Sequence, residues 1–349
     1  MKTFPLRSAL TASLVFALVA GTTAAGAYHV AKRIAIAGDT GWDYITADSE
    51  SRRLYVPHGI EVVVLDLDSG AVVGKITGLR GLHGVAVAHD VGKGFISATD
   101  PGSVTIFDLK TLAVLDKVRV GDDPNGIIYD PHTQRIFSAD RGSKRMTAID
   151  AKSGKIAATS VDLAGRTEHL AADGKGHVFL NMQDLGTLLK IDAKDLKVLS
   201  TWPLEGCGQP SSMDMDRARN RVFIGCRSGE LAVVDGDSGK IVATQPIGPG
   251  VDALEFDAAK GLIYVSTGGG DGVLSIFHED SVNTYSLVEN VKTLPGARTM
   301  ALDRKTGIVY LPVADVVPVP APAPPADAER GRGRGRMVPG TFSVLAVSR

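Results

Sequence analysis

Side chains able to bind or polarise a ligand recur at matched places along this chain. Asp43, Asn125, Glu168, Asp252 and Arg298 each stand five residues ahead of an aspartate, at positions 48, 130, 173, 257 and 303. Trp42 and His83 take the position one step earlier in their own segments, and His169 follows Glu168. A second series, His58, Arg141 and Arg227, follows an aromatic residue by three or four positions, in the company of Asp140, Gln183 and Cys226. Arginine among acids can grip a carboxylate or phosphate bidentately, or can simply neutralise those acids. Trp42 could stack on a ligand ring or plug a cavity. His83, Glu168, His169 and Asp252 together offer the nitrogen and oxygen donors that a divalent metal ion takes. Neither a His-Glu-x-x-His pair nor a Gly-x-Ser-x-Gly elbow occurs in the sequence, so no local motif names a zinc protease or a serine hydrolase.

The elements that hold these residues are read from a repeat. An apolar-aromatic pair after a turn occurs seven times, at Leu54-Tyr55, Gly94-Phe95, Ile136-Phe137, Val178-Phe179, Val222-Phe223, Ile263-Tyr264 and Val309-Tyr310, with the aromatics 40 to 46 residues apart. Six or seven residues before each aromatic stands Asp48, His89, Asp130, Asp173, Asp216, Asp257 or Asp303. About twelve residues after it, an alternating apolar run ends in Asp66, Asp108, Asp150, Asp192 or Asp235, followed by turns such as Asp-Ser-Gly-Lys at 237–240. Period-two alternation between turns rich in Gly, Asp, Asn and Ser predicts four short strands per unit. It excludes helical repeats, whose apolar spacing would follow 3.6 residues.

A four-stranded repeat of this length marks a β-propeller blade, so the fold expected is an all-β, seven-bladed propeller. The seventh unit supplies only three strands before the chain stops, while His29 to Ala37 resembles the outer strands of other units. Blade 7 is therefore expected to be closed by the N-terminal strand, which removes open sheet edges. In such a ring the start of each inner strand and the loop between the second and third strands meet at one mouth of the central channel. The ring of unlike residues named above falls at that mouth, whereas a pure scaffold would repeat them.

Leu54-Tyr55-Val56-Pro57 with Val62-Val63-Val64-Leu65-Asp66 resembles the YVTN-type β-propeller repeat, and the chain is similar to the YncE-like exported proteins. The Tyr-Val-Thr-Asn signature appears here as Tyr-Val-Pro-His, Phe-Ile-Ser-Ala and Tyr-Val-Ser-Thr. The resemblance implies architecture and leaves function open.

Residues 1–27 read as a signal peptide: Lys2 and Arg7, an apolar stretch from Ala9 to Ala20, and an Ala25-Gly26-Ala27 cleavage site. The apolar run is shorter than the ~20 residues a membrane helix needs. Residues 28–349 are then a single periplasmic or secreted domain, expected to be monomeric. In an oxidising compartment Cys207 and Cys226, the only two cysteines, are expected to form a disulfide. Residues 316–340 hold a Pro-rich run and then Arg-Gly repeats, expected to be a disordered insertion in blade 7.

Lysine and arginine total 38 against 39 acids, a balance that argues against nucleic acid as partner. Two functions fit this reading. One is an exported binding or interaction module holding a small ligand or partner protein at the polar mouth. The alternative is a metal-assisted lyase or hydrolase built from the same residues, as in other propellers such as the streptogramin lyases, with a divalent ion on His83, Glu168, His169 and Asp252.

Overall fold

The structure, a computed structural model, describes Met1 and residues 26–160, 162–318 and 335–349. The expected signal peptide falls almost wholly outside these residues.

Seven four-stranded antiparallel sheets follow one another around a central axis. Blade 1 runs Thr46–Asp48, Arg53–His58, Glu61–Asp66 and Val72–Thr77 from axis to rim, and blades 2 to 6 repeat the pattern. In blade 7 the inner strands Ala301–Asp303 and Ile308–Val313 are followed by Ser343–Ser348, and the outermost strand is His29–Ala35. Its register runs from His29 opposite Ser348 to Ala35 opposite Ser343. The two chain ends thus share one sheet, as the repeat count required.

Two kinds of aspartate make the turns. Asp66 Oδ1 accepts the Ser69 amide at 2.8 Å, Asp108 the Thr111 amide at 2.7 Å, and Asp235 the Ser238 amide at 2.8 Å. The carboxylate does locally what a further turn of backbone would do. At the first-to-second turn, Asp48, Asp130, Asp216 and Asp303 accept amides two or three residues on. Blade 2 carries His89 there instead, and forms a short 3-10 turn, His89–Val91. Its imidazole reaches across to Asp48 Oδ1 at 2.8 Å.

The landmark aromatics are the core. Tyr55, Phe95, Phe137, Phe179, Phe223 and Tyr264 are fully buried and Tyr310 nearly so, each worth about 2–3 kcal/mol of area removed from water. Blade 2 alone has glycine before its aromatic because the Phe107 ring occupies that space, 2.1 Å from where a Cβ at Gly94 would stand. Hydrogen bonds tie neighbouring blades near the axis: Thr46 Oγ1 donates to Val85 O, Ser97 Oγ to Asn125 O, and Ser211 Oγ to Val251 O. Thr299 Oγ1 donates to Asp43 O at 3.1 Å and Tyr310 Oη to Leu67 O at 3.2 Å, closing blade 7 on blade 1.

A disulfide joins Cys207 to Cys226. Of the blade 7 insertion, Val316–Pro318 pairs with Gly335–Met337 in a small two-stranded ladder, so its ends are strands; residues 319–334 lie outside the described residues. No helix among the described residues is long and apolar enough to cross a membrane.

Candidate functional site

Inner strands and the segments leading into them bring one set of side chains to the mouth, and second-to-third hairpins bring another. Asp43, His83, Asn125, Glu168, Asp252 and Arg298 arrive by the first route, Arg141 and Arg227 by the second, and all eight line one cup. The cup encloses about 40 Å³, room for a few waters at ~10–15 Å³ each. Only the end of a larger molecule fits inside.

Its charges are arranged in bridges. Asp252 accepts from Arg227 Nη2 at 2.9 Å on one oxygen and from Arg298 Nε at 2.8 Å on the other. His83 donates through Nδ1 to Asp43 at 2.7 Å and through Nε2 to Thr99 Oγ1 at 2.8 Å, and Thr99 donates on to Asp123 at 2.7 Å. Arg141 Nε donates to the other Asp123 oxygen at 2.7 Å. Burial works against a charged imidazole at His83, but Asp123 and Asp43 outweigh it and lift its pKa to about 9, so it is a cation at neutral pH. The His83 contact, then Thr99 and Arg141, hold Asp123 well below the usual carboxylate range despite burial.

Glu168 is the exception. It is 3% exposed, and its Oε2 has no hydrogen-bond partner, nor does Asn125 Oδ1 in the same cup. Burial, followed by the nearby Asp252 charge, pushes its pKa to about 7. The carboxyl therefore passes between donor and acceptor near neutrality. Three arginines with spare Nη groups and these unmet oxygens face the same space. The cup can bind a polar group that both accepts and donates.

Three residues expected at the mouth stand elsewhere. His58 is buried and stacks on Phe342 with ring centres 4.1 Å apart. Trp42 packs on the same ring at 5.2 Å and carries Arg298 over its face at 6.0 Å, so it props the arginine. His169 lies on the far side of Tyr44, in the channel. Asp140, beside Arg141, is fully buried and accepts hydrogen bonds from Ser138 and Thr147.

Of the four proposed metal ligands, His83, Glu168 and Asp252 share the cup, while His169 lies beyond Tyr44. Both ring nitrogens of His83 and both oxygens of Asp252 are engaged, and among the described residues no three His, Cys, Asp or Glu side chains are arranged to hold an ion. The donor set does not fit a metal.

Tyr44 lines the cup, and Thr99 and Asp123 hold His83 and Arg141 from behind, without having been expected there. Tyr44 lines both the cup and the channel beneath it, forming the partition between them, and its ring meets His169 edge-on at 5.3 Å. Buried beside Asp252, Glu168 and Asp43, its hydroxyl stays protonated.

No family model and no curated protein matches the sequence. Solved structures do. A chain of the Mitotic Checkpoint Complex aligns with TM-score 0.72 at 15% identity, over 88% of this chain and 96% of that one. The WD40 repeats of RRP9 align at 0.72 and 8% identity, over 91% and 97%. Hydrazine synthase of Kuenenia stuttgartiensis aligns at 0.68 and 16% identity, over 79% and 94%. The fold is a WD40-like propeller. Identities this low show the fold alone.

Proposed function

We propose that the chain is an exported interaction module of YncE-like kind, which holds the polar tip of a partner protein or ligand at the channel mouth. The observation that carries this reading is Glu168: a buried carboxyl oxygen without a hydrogen bond, facing a cup whose other acids are already neutralised. A group placed there gains hydrogen bonds that the free protein lacks, and unmet buried polar atoms cost roughly 1–3 kcal/mol each. The small cup suits a side-chain amide, hydroxyl or carboxyl on a protruding loop better than a whole metabolite. That a structural neighbour belongs to a multiprotein complex agrees with this reading.

The test is affinity capture from the exported fraction of cells with the tagged parent and with Glu168→Leu combined with Arg298→Ala. A partner retained by the parent and lost by the folded variant supports the proposal. Identical capture by both removes the mouth from consideration.

A further inference from the structure

Below Tyr44 the axial channel opens into a cavity of about 430 Å³, within the ~300–1,000 Å³ of small-molecule sites. Its wall draws on all seven blades, with Val87, Ile127, Leu254 and Met300 among its apolar residues. Arg217 and Arg304 directly follow the far ends of inner strands, at Asp216 and Asp303, and so line it toward the face opposite the mouth.

The two arginines differ. Arg304 is engaged, donating to Glu255 at 2.6 Å, to Asp214 at 3.3 Å and to Phe256 O at 3.1 Å. Arg217 donates only through Nε, to Ala172 O at 2.9 Å. It is exposed, and among the described residues its two Nη groups make no hydrogen bond or close ion pair, acting on the buried Glu255 only at longer range. At the inner end, His169 Nδ1 is buried and likewise unpartnered. His169 and Ala172 lie on one strand, Thr167–Ala172, three residues and therefore about 10 Å apart.

We propose that this channel is a second binding site, for a monocarboxylate whose apolar body runs from Arg217 to a hydroxyl or carbonyl at His169 Nδ1. One negative charge suits Arg217; a second would meet Asp214 and Glu255, which Arg304 already satisfies. Val87, Ile127, Leu254 and Met300 give an apolar body a surface to pack against between polar ends. Burial keeps the His169 imidazole neutral, so it can receive or donate a hydrogen bond without adding charge.

Calorimetric titration of the purified protein with 3-(4-hydroxyphenyl)propanoate, and with its neutral amide, tests the assignment. The acid is expected to bind saturably at one site and the amide about tenfold or more weakly, the worth of a charge-assisted pair. Arg217→Gln should weaken the acid to a similar degree, while Arg145→Gln, at an exposed arginine on the third strand of blade 3, should not. Absence of acid binding to the parent, equal binding of acid and amide, or unchanged affinity in folded Arg217→Gln would each overturn the proposal.

Discussion

Arg141 Nη1 stands 3.8 Å from Glu168 Oε2, within Coulombic reach and beyond hydrogen-bonding distance. The guanidinium attracts the carboxyl without saturating it. Asp123 holds the Arg141 Nε instead, so the arginine is oriented by one acid and left to act on another. This division keeps the mouth both charged and unsatisfied, the combination a binding site needs.

Glu168 makes stability depend on pH in a definite direction. Its pKa rises from 4.5 to about 7 on folding, so between those values the folded protein keeps a proton that the unfolded chain releases. Stability contributed by this group is therefore lost as pH rises through that window. Glu168→Gln should be the more stable protein at pH 8, by on the order of 3 kcal/mol, and the advantage should shrink by pH 5. Urea denaturation at both pH values measures it. An equal gap at both would refute the assignment.

Asp252 holds two arginines at once. Asp252→Asn leaves Arg227 and Arg298 largely buried without their counter-charge, and a loss of about 3 kcal/mol is expected. Chemical denaturation gives the number. A change below ~0.5 kcal/mol would mean that solvent screens the bridge as it does at open surfaces.

The disulfide closes a loop with a sequence separation of 19 residues. Replacing both cysteines by serine should cost roughly 3 kcal/mol. The same variant should loosen Arg227, which follows Cys226 directly, and so weaken any partner at the mouth. Thiol titration of the denatured, unreduced parent should find no free thiol; two would contradict the pairing.

Ring closure can be cut at one place. Removing residues 28–36 uncovers the edge of Ser343–Ser348 and takes away the buried Tyr28 and Ile36. The shortened protein should self-associate through that edge, seen as higher-mass species by size-exclusion chromatography with light scattering. A monomer of undiminished melting temperature would show that the terminal strand is dispensable.

Much of this was legible because propeller blades are locally encoded. Alternation, turn aspartates and one aromatic per unit act within about forty residues, so the spacing of Tyr55 and Phe95 already carries the blade. Registering the units on Asp48 and its counterparts also placed Asp43, Glu168 and Asp252 at one end of their strands. The same register set His169 beside Glu168, because adjacent strand residues share a sequence neighbourhood while pointing to opposite faces. Asp123 lies in a loop between blades, outside any repeated position, and Tyr44 reads as one more apolar strand residue. Neither carried a signal of its own.

Sequence alone determined the number of blades, the strand that closes them and the bonded cysteine pair, since each follows from short-range pattern or from there being two thiols in all. Tertiary structure decided which side chains share the cup, that Tyr44 divides mouth from channel, and that His83 and Asp252 are occupied by neighbours. Those relations join residues from different blades. They depend on side-chain direction and on electrostatic competition across the axis, and neither exists until the ring has closed.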